Sequence, residues 1–425
     1  MRTDYDLVII GGGMVGASLA CSLGGSALRV AVVETFPFDS LTQPGYDERT
    51  VTLAYGSKRI FEGMDIWRNI EAQGVSPIKR IHISDRGHLG ITRLDAAKLG
   101  VEALGYVVET RRLGAALNQT MRGHANIDLL CPASLENVMF HADAVTATIK
   151  QIGKHLSNEK VGTHLPNEKE EKKIELRARL LVGADGARSR VRELTGIRAQ
   201  QVDYRQTAIV TTLTPEYPHQ QVAYERFTPS GPLAVLPMSG NRCAAVWSVR
   251  RHEVDELLGL KNEDFCQQLQ TQFGERLGKL QNPGKRQAFP LNLTYVRAPV
   301  RPRLVLIGNA AHALHPVAAQ GLNLGLRDAA TLAQLVAYAA QAQNDIGRLA
   351  LLRQYADWRK RDHVAMTGFT NGLVRIFSNT FLPMVITRNL GLLALDLLPP
   401  VKRVLVRRTM GLAGRLPRLA RGLPL

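Results

Sequence analysis

Gly11, Gly13 and Gly16 stand at the spacing G-x-G-x-x-G, and Glu34 follows a short stretch later. Each of these residue types has a task in holding a dinucleotide. The first glycine permits a tight turn, the second lets backbone approach a pyrophosphate, and the third lets a helix pack closely on a strand. Unpaired N–H groups at a helix start carry partial positive charge and hold the diphosphate. A carboxylate at Glu34 accepts hydrogen bonds from an adenosine ribose and repels a 2′-phosphate, which disfavours NADP and leaves FAD or NAD. No Ser-His-Asp or Cys-His arrangement suited to a protein nucleophile is evident. His312 and His315 have no Cys or carboxylate at ligand spacing, so they read as histidines hydrogen-bonded to backbone, and no metal is expected.

The elements around this motif must place it at the edge of a buried sheet. Leu7 to Ile10 is a continuous apolar run, as a parallel strand buried on both faces requires. Small and apolar residues Ala17, Leu19, Ala20 and Leu23 predict a helix packed on that sheet, and Val30 to Val33 predicts a second strand ending in Glu34. Leu180 to Val182 and Arg303 to Ile307 read as two more buried strands, each followed by a glycine-bearing segment. Leu332, Leu335, Val336 and Ala339 then share one face of a helix. Strand-plus-glycine pieces at the start, middle and late chain imply one discontinuous nucleotide-binding domain. Between them, Ile81 and Ile83 alternate, and the runs Ile209 to Thr212, Val222 to Phe227 and Ala244 to Val249 predict a β-rich second unit. Phe265, Leu269 and Phe273 recur at helical spacing after Asn262, the expected N-cap. HLSNEK (155–160) and HLPNEK (164–169) form a polar near-repeat, read as a surface loop.

Composition narrows the class. The chain has 425 residues, 45% of them hydrophobic, which excludes a disordered or collagenous protein. Cys21, Cys131, Cys243 and Cys266 lie far apart, so a reducing, cytoplasmic setting is expected. The net charge is +17, from 54 Lys and Arg against 37 Asp and Glu. From Thr370 onward there are nine basic residues against Asp396 alone, a net of +8. Leu390, Leu393, Leu397, Val401 and Val404 interleave with them, a pattern suited to an anionic membrane surface or to packing against a partner. Aromatic content of 6%, with no basic stripe interleaved with aromatics, argues against nucleic acid.

Four segments carry a family resemblance. Gly183-Ala184-Asp185-Gly186-Ala187-Arg188-Ser189 resembles the GADG-x-x-S segment of aromatic-ring flavoprotein monooxygenases, which share the para-hydroxybenzoate hydroxylase fold. Gly308-Asn309-Ala310-Ala311-His312 resembles their second flavin-contact motif, with Asn309 where an Asp is usual. His315-Pro316-Val317-Ala318-Ala319-Gln320-Gly321-Leu322-Asn323-x-Gly325-x-x-Asp328 is similar to the signature of the ubiquinone-biosynthesis hydroxylases. Asp47-x-Arg49, with Leu53 and Ser57, resembles their early flavin-contact segment. Ala319 stands where that signature carries glycine, a change expected to be tolerated if φ there is negative.

The resemblance implies an α/β fold: a discontinuous Rossmann-like FAD-binding domain (1–75, 100–190 and 295–345), an inserted β-rich substrate domain (76–99 and 191–294) and a C-terminal basic helical region (346–425). It implies an FAD-dependent monooxygenase that hydroxylates a polyprenylated methoxyphenol through a flavin hydroperoxide, with molecular oxygen and NAD(P)H as transient donor. The cofactor residues it points to are Gly11, Gly13, Gly16, Glu34, Arg49, Arg112, Asp185, Gly308, Asn309, Gln320, Gly321 and Asn323. Asp185 reads equally as a turn-stabilising residue, and Arg112 equally as a solvated surface charge. A membrane-resident substrate implies a peripheral position on the inner face of the cytoplasmic membrane or lipid-handling partner proteins. The alternatives are a sister hydroxylase acting at another ring carbon, a non-catalytic lipid-binding component, and an NAD-dependent dehydrogenase, which leaves the segments at 183–189 and 308–312 unexplained.

Overall fold

The computed structural model describes residues 4–37, 49–152, 171–377, 379 and 381–425. Asp47 and the HLSNEK/HLPNEK pair lie outside the described residues. The first strand, Tyr5–Ile10, runs parallel between Val30–Val33 and the end of Glu171–Gly183. Ile127–Leu130 and Leu304–Leu306 extend this parallel sheet on its two sides. Leu7 and Ile9 face helices Met14–Ser22, Thr110–Arg122 and Gln320–Gln341, whereas Val8 and Ile10 face the antiparallel strands Ala133–Phe140 and Val145–Ile152. Both faces are covered, which is why the run has no polar alternation.

Leu180 to Val182 is only the last part of a strand that begins at Glu171. Its first half is rich in charge and pairs with Val145–Ile152, while its second half enters the parallel sheet. That charged half hides the strand from an apolar search.

The second unit is a nine-stranded mixed sheet. Within it, Gln200–Pro215 lies between Gln287–Tyr295 and Cys243–Arg250. Val222–Thr228 pairs antiparallel with Gly231–Pro237 and parallel with Arg80–Asp85. One face packs on helix Asn262–Phe273, where Tyr224 meets Phe273 and Trp247 lies against Phe265. The N-cap of that helix is Lys261, and Asn262 is its first helical residue, placed instead to accept from the Arg286 guanidinium at 3.3 Å. The opposite face carries Ala223 and Phe227, which pack toward Ile78 and Val107 and toward Val317 and Phe377.

After helix Leu349–Phe377 the tail folds as two helices, Leu382–Leu397 and Pro399–Thr409, bent by 96° at their junction. Among the described residues no single helix is long and apolar enough to cross a membrane. The first tail helix docks on the β-sheet edge through polar contacts. Arg388 Nε donates to Asp85 at 2.8 Å, Asn389 donates to the same carboxylate and accepts from Gly90 N, and Asp396 accepts from Arg93 N. The outward side of the pair remains apolar, with Leu382, Ile386, Leu390, Leu397 and Val404 all more than half exposed. The four cysteines are free.

Candidate functional site

Gly11 leaves the first strand at φ +100°, a region that disfavours side chains, and a Cβ there would lie 2.6 Å from the Ala184 carbonyl oxygen. A Cβ at Gly16 would overlap the Gly11 carbonyl itself. At Gly13 the opposite holds, for no described residue lies within 4 Å of such an atom. Gly13 is also the N-cap of helix Met14–Ser22, and no side chain caps that end. Tight packing on two sides thus leaves one open cradle, faced by uncapped N–H groups. Glu34 closes it, 8% exposed, with Oε2 accepting from Gly12 N at 2.7 Å and Oε1 from Phe36 N at 2.9 Å. Burial pushes its carboxyl above the usual range, and these backbone donors partly offset that.

The middle glycine segment backs onto the first. Asp185 Oδ1 accepts from Ser189 Oγ at 2.6 Å and Oδ2 from Val191 N at 2.9 Å, so both oxygens serve the turn into the short helix Arg190–Thr195. Burial raises this carboxyl too, against those two donors. Gly308 follows strand Leu304–Leu306, and Asn309 beside it is exposed on the wall of a cavity.

His312 is not held by backbone. Its Nε2 lies 2.5 Å from Asp328 Oδ2, and Asp328 Oδ1 receives His363 Nε2 and Arg359 Nε, each at 2.7 Å. Gly308 N donates to the same carboxylate at 3.2 Å. Burial opposes charge on Asp328, yet His363, His312 and Arg359 hold its carboxyl well below the usual carboxylate range. The two histidines and Asp328 converge within metal-ligand reach, but the guanidinium of Arg359 already supplies the cation on that carboxylate. Sequence reasoning missed this hub because its members come from residues 308–312, 328 and 359–363; only the helical spacing of Arg359, Asp362 and His363 signals a shared face. His315 fits the backbone reading: its Nδ1 accepts from Val317 N, its Nε2 meets Gln206, and burial pushes it down to about 4.

The turn before helix Gln320–Gln341 departs from expectation. Ala318 and Ala319 both adopt the left-handed region, at φ 60° and 50°. The methyl of Ala319 therefore sits where a positive φ costs roughly 1–2 kcal/mol, and surrounding contacts hold it there. Asn323 supplies several of them: it donates to the carbonyls of Ala319 and Thr52 and accepts from Ala54 N and Ser57 Oγ, both at 2.7 Å. Gln320 Nε2 donates to Ala318 and to Thr409 of the tail, while its Oε1 is buried without a partner. Gly321 has open space around it.

These residues border a cavity of about 780 Å3 between the glycine turn, the nine-stranded sheet and the tail. Arg49, Asn309, Gln320, Gly321 and Asn323 all line it. Arg49 stacks on Phe289 at 4.6 Å. Arg112 is not among the lining residues; it pairs with Glu109 at 3.1 Å and with the Gln73 carbonyl. The remaining walls are mostly apolar, including Ile81, Ile83, Leu236, Leu392 and Leu405, with Glu225 among them. No sequence pattern marked Glu225 or the tail residues as parts of the site.

The arrangement fits FAD. The open cradle at Gly13 suits a diphosphate at an uncapped helix start, and Glu34 stands where a ribose reaches. At the other end, Thr50 Oγ1, Thr52 Oγ1 and Gln320 Oε1 are buried around the cavity without partners among the described residues, which suits the polar edge of a ring system.

A family model described as FAD binding domain matches residues 4–370. The chain is 38% identical to the ubiquinone hydroxylase UbiL of Rhodospirillum rubrum, over 99% of this chain and 93% of that one. It is 30% identical to the 3-demethoxyubiquinol 3-hydroxylase of Escherichia coli, over 96% of this chain and 98% of that one. The solved p-nitrophenol 4-monooxygenase PnpA of Pseudomonas putida has the same fold, with a TM-score of 0.77 at 18% identity, covering 98% of this chain and 100% of that one. The chain belongs to the FAD-binding family and, within it, to the FAD-dependent hydroxylases of ubiquinone biosynthesis, and it is an FAD-dependent monooxygenase.

Proposed function

From this place among the flavin hydroxylases, we propose that the chain hydroxylates the ring of a polyprenylated methoxyphenol, with molecular oxygen as co-substrate and NAD(P)H as the transient electron donor. The observation that carries the substrate class is the extent of the cavity. It reaches from the Gln320–Gly321 turn, across the apolar floor of the sheet, to Leu392 and Leu405 on the tail helices. A phenol ring at the turn leaves room for an apolar chain along Ile83 and Leu392.

When FAD binds, the Gly11–Gly16 loop would hold its diphosphate and Glu34 its ribose, while Arg49, Asn309 and the Gln320–Gly321 backbone would hold the ring system. FAD, when bound, supplies the activated oxygen. The protein orients the phenol and keeps the cavity dry, which protects that oxygen from loss to water. The outward apolar side of the tail pair, with exposed Arg403, Arg407 and Arg408 beside it, rests on an anionic membrane surface at the inner face of the cytoplasmic membrane.

The test is quinone extraction and mass spectrometry of cells lacking the protein. Accumulation of the polyprenyl methoxyphenol, cleared when the gene is restored, is the expected result. Accumulation of an earlier or later ring intermediate moves the assignment to a sister hydroxylase, and an unchanged quinone pool removes it from the pathway.

A further inference from the structure

Along strand Val222–Thr228 the side chains alternate between two environments. Tyr224 packs on Phe273 in the helix-covered face. Ala223 and Phe227 turn the other way, into the clusters that meet Ile78 and Val317. Glu225 shares the side of Ala223 and Phe227, and so it faces the cavity. Its cross-strand neighbours are Ala234 on one side and Ile83 on the other, both cavity residues. Beyond them the floor continues as Ile81, Leu236 and Val246.

A carboxyl in this position is expensive. Burial alone pushes Glu225 up to about 7, with no charged neighbour among the causes. The residue is part-buried, and the surface it retains is that of the cavity. Among the described residues, the other charged side chains lining the cavity are Arg49, stacked on Phe289, and Arg388, paired with Asp85. On the adjoining strand His82 lies against Tyr224 on the opposite face. An apolar residue would fill the floor at less cost, so the carboxyl answers a need of the bound molecule.

We propose that Glu225 is a catalytic residue that accepts the ring hydroxyl of the phenol and takes its proton. The proposal rests on the phenol-hydroxylase reading and names the group of this chain that activates the ring. In the step, the phenolic O–H bond breaks, its electron pair stays on oxygen, and the proton ends on the Glu225 carboxylate. The phenoxide so formed pushes electron density onto the ring carbons ortho and para to it, the positions an electrophilic oxygen attacks. When the hydroxylated ring regains aromaticity, its C–H proton passes to water and Glu225 returns the stored proton to the phenolic oxygen. Only an ionised Glu225 can act, so kcat/KM rises as pH passes upward through about 7.

The experiment compares FAD-loaded wild type with Glu225→Gln and Glu225→Asp, using 2-methoxy-6-prenylphenol as probe between pH 6 and 9. Flavin absorbance reports loading and ring binding, and product formation reports chemistry. Glu225→Gln is expected to keep its FAD, to lose about 100-fold in kcat/KM at pH 8 and to lose the rise through pH 7. Its deficit shrinks with ring-fluorinated phenols, which ionise unaided. Glu225→Asp keeps the pH-dependent limb at a lower kcat, which separates a lost base from a damaged floor. Equal kcat/KM for wild type and Glu225→Gln at every pH overturns the role of Glu225 and leaves the hydroxylase reading intact. Wild type that binds the phenol through Glu225 without hydroxylating it removes the hydroxylase reading and leaves the carboxyl as the phenol's partner.

Discussion

The two ends of the cofactor and substrate space are built by opposite means. At the glycine loop, backbone presses on backbone: Gly11 abuts Ala184, Gly16 abuts Gly11, and the one unfilled direction, at Gly13, is the working surface. At the sheet floor nothing is that tight. Residues from the strands at 80–85, 222–228 and 231–237 and from the tail helices surround about 780 Å3 of mostly apolar space, and among the described residues Glu225 is the one carboxyl that lines it. The first end tolerates no added atoms at Gly11 or Gly16 and is specified by a few neighbouring residues. The second is specified by chemistry at one point and by convergence of distant segments everywhere else.

Substitution of the glycines tests this difference most severely. Gly16→Val should prevent formation of a folded, flavin-binding protein, because its Cβ meets backbone that has no room to retreat. Gly13→Val should instead fold with an unchanged apo-protein Tm and lose FAD affinity more than about 100-fold, since its side chain enters only the cradle. Flavin absorbance and thermal unfolding read both outcomes, and a destabilised apo Gly13→Val would break the distinction. At the other end, replacing Arg403, Arg407 and Arg408 together by Ser should weaken binding to anionic liposomes by about 3 kcal/mol, roughly 100-fold, with FAD content retained. Equal liposome binding would leave that surface to a protein partner. Point substitutions are needed because truncation at Thr370 would cut helix Leu349–Phe377 and remove a cavity wall. The smallest expected effect is Ala319→Gly. Relief of the positive φ should outweigh the entropy lost by glycine and stabilise the apo-protein by about 1 kcal/mol, seen as a higher Tm.

The same contrast decides what the amino-acid sequence reveals. Gly11 to Glu34 is legible because a turn, a helix start and a strand end are adjacent in the chain and each demands a particular residue. The segments at 183–189 and 308–323 are legible through their resemblance to the flavoprotein monooxygenase motifs, and the structure sets Ala184 against Gly11 and Gly308 against Val15. Legibility fails where a residue's meaning depends on a distant partner. His312 finds its carboxylate at position 328 and its companion ring at 363. Ala319 looks tolerable until Asn323, tied to residues 52, 54 and 57, fixes the backbone around it. The tail's basic and apolar mixture resolves only when Asp85, Gly90, Thr92 and Arg93 take up one side of the helix and leave the other uncovered. Glu225 sits in a strand of ordinary composition, and nothing short of the cavity around it separates it from a solvated surface glutamate.

The hub around Asp328 bears on how this chain can diverge. One carboxylate joins the Gly308 turn, His312, and two residues of a later helix, with Arg359 1% exposed and Asp328 wholly enclosed. Loss of Asp328 leaves the buried Arg359 with Asp362 as its remaining carboxylate, and loss of Arg359 leaves Asp328 with its two histidines, each at roughly 3 kcal/mol, so a lineage has no easy single step from Asp328 or Arg359 to a neutral residue. The pair must be inherited together or exchanged together, and the turn they anchor is carried along with them, whichever ring the floor of the sheet comes to accept.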